Sequence, residues 1–145
     1  MAIVFRPIAA GDLAHLRSWF EDAELSRRLS YPTEEWFSYV TGRGIAQCWI
    51  AQDGEEPVAQ LQVDHVPGEP AYLDIAVRPG LRGMGLGQSV LSAFLEGPGK
   101  VYAILVGHIE PDNLASLRCC QKCGFVLSAG IAEDGFIRAE LNRTL

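Results

Sequence analysis

Val77-Arg78-Pro79-Gly80-Leu81-Arg82-Gly83-Met84-Gly85-Leu86-Gly87-Gln88-Ser89 runs from an apolar strand through a glycine-rich loop straight into an amphipathic helix. Four of the eight residues from 80 to 87 are glycine (Gly80, Gly83, Gly85, Gly87). Without a Cβ, such a backbone lets a ligand come close. The first amides of a helix have no internal partner and carry the positive end of its dipole. A glycine loop that opens a helix is therefore a cradle for phosphate or pyrophosphate, and Arg82 adds a fixed positive charge at its edge. A glycine-rich strand-to-helix turn with no ligand is the plain alternative.

Two common phosphate fingerprints fit poorly. A P-loop requires G-x-x-x-x-G-K-[ST], and no Lys or Thr follows Gly87. A dinucleotide loop requires G-x-G-x-x-G at the start of a βαβ unit; here the glycines fall as G-x-G-x-G, late in the chain and after several strands. The pattern Arg82-Gly83-Met84-Gly85-Leu86-Gly87 instead resembles the R/Q-x-x-G-x-G/A signature of the GCN5-related N-acetyltransferases (GNAT), which hold the pyrophosphate of acetyl-CoA on such a loop.

The bulk properties allow that reading. A chain of 145 residues is one domain by length, residues 1–145, and can bury a full core. Net charge is −6 with no basic patch, which argues against nucleic acid as a partner and mildly favours a cationic acceptor such as an amine. No apolar run reaches the roughly 18 residues of a membrane span. The first residues lack the order of a signal peptide, so a cytoplasmic location is expected. There Cys48, Cys119, Cys120 and Cys123 would be thiols. Cys120-Gln121-Lys122-Cys123 has C-x-x-C spacing but no second ligand pair, so these cysteines read as small apolar helix residues and no metal site is expected.

Apolar periodicity gives the element order. Ile3–Arg6 is a strand. Gly11-Asp12 caps a helix to about Phe20, another spans about Ala23–Leu29, and Thr33 caps a third that closes at Gly42 and Gly44. Ala46–Gln52, Val58–Val66 and Ala71–Val77 are strands joined by turns. In the second of these, Ala59, Leu61 and Val63 point inward, and Gln60, Gln62 and Asp64 outward. A helix runs from about Gly85 to Glu96, a strand over Val101–Val106, and a helix from about Asn113 to Lys122 stopped by Gly124. Phe125–Ser128 and Phe136–Leu141 are the last strands. The fold class is α+β, a mixed, largely antiparallel central sheet flanked by helices. That is also the element order of the GNAT-type acyl-CoA N-acyltransferase fold.

A second stretch carries the same resemblance. Asn113-Leu114-Ala115-Ser116 through Gly124-Phe125 is similar to the family's N-x-x-(A/S)-x-x-x-Y-x-x-x-G-F, with Asn113, Ser116, Gly124 and Phe125 matching. The family's Tyr, a general acid near the thiol, is replaced by Cys120. Asn113 reads equally as a plain helix N-cap.

The resemblance implies an acetyl-CoA-dependent N-acetyltransferase with acetyl-CoA as co-substrate. Ile75, Ala76 and Val77 would pair with the pantetheine arm, and an amide of Ala76 or Val77 would face the thioester oxygen. The amides from Arg82 to Gln88 (Arg82, Gly83, Met84, Gly85, Leu86, Gly87, Gln88) would hold pyrophosphate with support from Ser89. Asn113 and Ser116 would flank the cofactor. The acceptor would be the primary amine of a small molecule or a protein N-terminus, attacking directly in a ternary complex. For the base, the family position five residues before Asn113 holds His108, whose ordinary pKa near 6.5 suits the role. Asp74, beside the loop on a face shared with Tyr72 and Ala76, is the second candidate and Glu110 the third. Cys120 stands where an acid is expected but gives little driving force against a thiol of similar pKa; Tyr31, Tyr72 or water are alternatives. The aromatic and acidic residues Trp19, Phe20, Glu21, Asp22, Tyr31, Pro32, Trp36 and Tyr39 are candidates for the acceptor site, though core packing accounts for most of them. The chain would be a monomer or homodimer. A catalytically silent acyl-CoA-binding module and a nucleotide-binding domain of another type are the competing readings.

Overall fold

The computed structural model describes residues 2–81, 83 and 85–144. Seven strands form one sheet: β1 (Ile3–Pro7), β2 (Ala46–Asp53), β3 (Glu56–His65), β4 (Ala71–Val77), β5 (Ile104–Ile109), β6 (Val126–Leu127) and β7 (Ile137–Asn142), in the order β1-β2-β3-β4-β5-β7-β6. All neighbours are antiparallel except β4 and β5.

Helices cover both faces. On one lie α4 (Leu86–Glu96) and α5 (Leu114–Lys122), which bury Leu86, Val90, Leu91, Phe94 and Leu117 against Ala59, Leu61, Val63 and Leu73. Phe94 is the centre of this layer, packed edge-on to Phe5 and Trp49. The half-buried Cys119, Cys120 and Cys123 pack on it as free thiols. On the other face α1 (Leu13–Trp19), α2 (Ala23–Arg28) and α3 (Glu34–Thr41) bury Leu16, Trp19, Leu25 and Val40 against Ala46, Cys48, Ile50 and Ala76. This second layer changes the reading of β3: Gln60, Gln62 and Asp64 do point away from Ala59, Leu61 and Val63, but into a half-buried space under α1–α3.

Three local expectations are corrected. Val101 is not in a strand: it is 81% exposed at the end of a 3-10 turn, Pro98–Val101, and β5 begins three residues later. Proline at the turn's start favours that conformation, and Gly99 packs so tightly on the Phe94 ring that a Cβ would lie 2.6 Å from it. Second, β5 consequently continues past Val106 to Ile109, carrying His108 within the strand. Third, Asp12 does not cap α1. Its carboxylate turns back to accept from the Ala9 amide at 2.7 Å and from both Arg6 Nη atoms at 2.6 and 2.7 Å. The Arg6 guanidinium and the Ala9 amide, both just upstream, outcompete the cap. Thr33 and Asn113 do cap α3 and α5.

Candidate active site

The parallel pair β4–β5 is joined only at Ala71–Leu105 and Tyr72–Val106. Beyond Tyr72 the strands diverge. β4 runs on to Val77 with β3 along one edge, pairing Ile75 with Leu61 and Val77 with Ala59. β5 gives its far edge to β7. The facing edges are left unpaired among the described residues, which opens a wedge in the sheet. In a strand, backbone polar groups alternate sides. Arg78 donates its amide to Val58 of β3, and the Leu73 carbonyl lies on the Gly107 side. Alternation therefore aims the N–H groups of Ile75 and Val77 into the wedge, while that of Ala76 faces β3. The edge is ready for one more extended strand.

At the end of β4 the glycine loop meets α4. Gly83 and Gly85 have φ of 77° and 73°, the left-handed region that favours glycine. Gly85 is the N-cap of α4 and supplies no side-chain cap. Ser89 donates its amide back to the Gly85 carbonyl, so the N–H groups of Leu86, Gly87 and Gln88 are the helix's orphan donors. The Leu86 side chain is core, and Gln88 and Ser89 are exposed. Arg82 and Met84 lie outside the described residues. Asn113 is half-buried at the head of α5; its Oδ1 accepts the Ser116 amide. A pantetheine-like chain in the wedge and a pyrophosphate at an uncapped, glycine-flanked helix start fit this backbone.

A pocket of about 310 Å³ opens between the polar face of β3–β4 and the α1–α3 layer. Trp19, Phe20, Pro32 and Trp36 line it, as do Gln60, Gln62, Asp74 and Arg28. The Trp36 Nε1–H donates to Gln62 Oε1 at 2.9 Å, and Gln62 Nε2 donates to Asp64 Oδ1 at 2.8 Å. Tyr39 Oη donates to the other Asp64 oxygen. The remaining acceptor-site candidates stand elsewhere: Tyr31 packs on Phe20 and under Arg17, Asp22 caps α2, and Glu21 is exposed.

Asp74 has no hydrogen-bond or ion-pair partner among the described residues. It opens to solvent through the pocket mouth while protein crowds its other sides. Burial pushes its carboxyl pKa up, the charge of Asp64 adds to that, and His108 opposes it. His108 does not line the pocket; it is exposed on β5, stacked on Tyr72 at 5.6 Å and edge-on to Phe136. Glu110 pairs with Arg28. Burial lifts the Cys120 thiol to about 12, with Cys119 and Cys123 adding to it. Such a thiol is a poor acid toward a leaving thiolate of ordinary pKa, about 8.5.

Sequence reading missed Gln62, Arg28 and the floor position of Gln60. The available signal was the set of apolar stripes on α1–α3, which require a sheet face to cover.

The Acetyltransferase (GNAT) family matches residues 13–125. The uncharacterized N-acetyltransferase YfmK of Bacillus subtilis (strain 168) is 29% identical over 137 residues, 92% of each chain. A spermidine N-acetyltransferase SpeG chimera from Vibrio cholerae and hSSAT superposes with a TM-score of 0.84 over 99% of this chain and 96% of its own, at 14% identity. The aminoglycoside acetyltransferase AAC(6')-Ib bound to coenzyme A gives 0.82 over 98% and 95%, at 20% identity. With the family matched over most of its length, the chain belongs to the GNAT family and is an acetyl-CoA-dependent N-acetyltransferase.

Proposed function

We propose that the protein transfers an acetyl group to the primary amine of a small molecule by direct attack within a ternary complex, with Asp74 as general base. The observation that carries this reading is the unpartnered Asp74 carboxylate, which lines an aromatic pocket on the strand whose free edge faces the wedge. A free alkylamine is protonated at neutral pH, its ordinary pKa being about 10. Asp74 accepts that proton before attack and so frees the nitrogen lone pair for the thioester carbonyl; its raised pKa narrows the gap between acid and base. Acetyl-CoA supplies the activated acetyl thioester. The amides of Ile75 and Val77 orient its arm, with Val77 the candidate donor to the thioester oxygen. The amides of Leu86, Gly87 and Gln88, flanked by Gly83, Gly85 and Ser89, hold the pyrophosphate, and Asn113 and Ser116 flank the arm from α5. Tyr72, two residues before Asp74 on the same face, is the candidate proton donor to the leaving sulfur. Four free thiols suit the cytoplasm.

The test is thiol release from acetyl-CoA with a panel of primary amines, for the parent and Asp74→Asn. Amine-dependent turnover that falls by about 10²–10⁴ in the variant, the range of general-base effects, supports the reading. Acetyl-CoA binding with no turnover on any amine would instead favour a silent acyl-CoA-binding module, for which the absent family tyrosine at Cys120 is the motive.

A further inference from the structure

The pocket beside Asp74 offers one unpartnered carboxylate between aromatic walls. This inference rests on the pocket beside Asp74 being the acceptor site.

Among the described lining residues Asp74 is the one carboxylate and Arg28 the one cation. The other acids on that side do not line the pocket, and those nearest Arg28 and Gln62 are committed. Asp64 accepts from Tyr39 and Gln62. Glu24, Glu110 and Asp112 pair with Arg27 and Arg28 at 2.7 to 3.3 Å. Arg28 is itself held fast: its Nε donates to Glu24 at 2.7 Å, its Nη1 to Asp112 at 3.1 Å, and its side chain is only 13% exposed. Those carboxylates match its charge, so it is a fixed but compensated wall. Trp36 is equally fixed by its bond to Gln62, and with Trp19 and Phe20 it gives the pocket flat apolar sides. A volume of about 310 Å³ is at the small end for ligand pockets.

We propose that this pocket selects a primary monoamine with a flat apolar body, an arylalkylamine, and disfavours polyamines and other polycations. One ammonium pairs with Asp74, and the ring lies between the aromatic walls. A second ammonium carried inward sheds its water and finds no second carboxylate among the described lining residues.

The test compares 2-phenylethylamine and tryptamine with spermidine and kanamycin on the full chain saturated with acetyl-CoA. Two readouts are taken: kcat/KM for acetyl transfer, and calorimetric titration of the amine into the CoA-bound protein, which involves no turnover. The expected result is at least a tenfold preference for the arylalkylamines in either readout. Spermidine or kanamycin used or bound as well as the arylalkylamines, or no arylalkylamine binding at all, would overturn the inference. Failure of the catalytic reading is distinct: it is arylalkylamine binding with no acetyl transfer to any amine.

Discussion

Asp74 stands directly across the β3–β4 ladder from Gln62, and Gln62 turns both ends of its amide away, to Trp36 and to Asp64. The residue best placed to donate a hydrogen bond to Asp74 is thereby removed, and the carboxylate stays available to a ligand. A structural role would have tied it to Gln62.

The two effects of Asp74 on stability and on activity run in opposite directions. Its folded pKa is raised, so the fold favours the protonated form. The stability it contributes is present below the ordinary carboxylate range and lost as pH rises through the raised value, and at neutral pH the ionised group is a cost. Asp74→Asn is therefore expected to match or exceed the parent in melting temperature at pH 7 while losing activity. For the parent, kcat/KM should fall as pH drops through a value above the usual Asp range. Thermal melts and a pH–rate profile of the same two proteins check both statements.

Cys120→Ala is expected to keep acetyl transfer within about tenfold of the parent, since a thiol held near 12 is not a useful acid. Steady-state kinetics with one amine suffice. A loss above about a hundredfold, the low end of general-acid effects, would contradict this assignment.

Gly85 and Gly87 should answer differently to alanine. At Gly85, φ is 73°, so a side chain strains the backbone by about 1–2 kcal/mol and disturbs the helix start. Gly87 lies within α4, where a Cβ would make ordinary 3.9 Å contacts with Val77 and Cys119. Alanine there is favoured by helix propensity, by up to about 1 kcal/mol. Calorimetric titration with acetyl-CoA is expected to show weakened binding for Gly85→Ala and near-parent binding for Gly87→Ala.

Asp12 predicts acid sensitivity. The Arg6 guanidinium, aided by the Ala9 amide, holds its carboxyl below the usual range. The folded pKa is depressed, so the stabilisation is present above the unfolded value and lost as pH falls through that range toward the folded value. Asp12→Asn should cost about 2 kcal/mol at pH 7, less than for a fully buried pair because Arg6 is partly exposed. The difference from the parent should shrink progressively in melts taken as pH falls below the ordinary carboxylate range.

The sequence made legible what short-range chemistry decides. The glycine loop, the caps at Thr33 and Asn113 and the apolar stripe of α4 are each written in neighbouring residues. What it hid depends on side-chain contacts that the element patterns do not announce. The turn that delays β5 is set by Gly99 against Phe94, and the fate of Asp12 by Arg6. The pocket exists because Leu16 and Trp19 cover the sheet face that carries Gln60, Gln62 and Asp74. Among base candidates, His108 follows from a motif position and Asp74 from its strand face beside Tyr72 and Ala76, but the pocket that Asp74 lines appears only when β3, β4 and the helices are assembled. The wedge between β4 and β5 is likewise a property of two strands joined over two residue pairs, which neither strand's sequence announces.

Amide hydrogen exchange with and without acetyl-CoA tests the central claim most directly. The N–H groups of Ile75, Val77, Leu86, Gly87 and Gln88 are assigned no partner in the free protein and a ligand partner in the complex. Peptides spanning residues 71–90 should gain protection when acetyl-CoA binds, with little change in β1 and β2. Binding without protection of these residues, or with protection centred elsewhere, would contradict it.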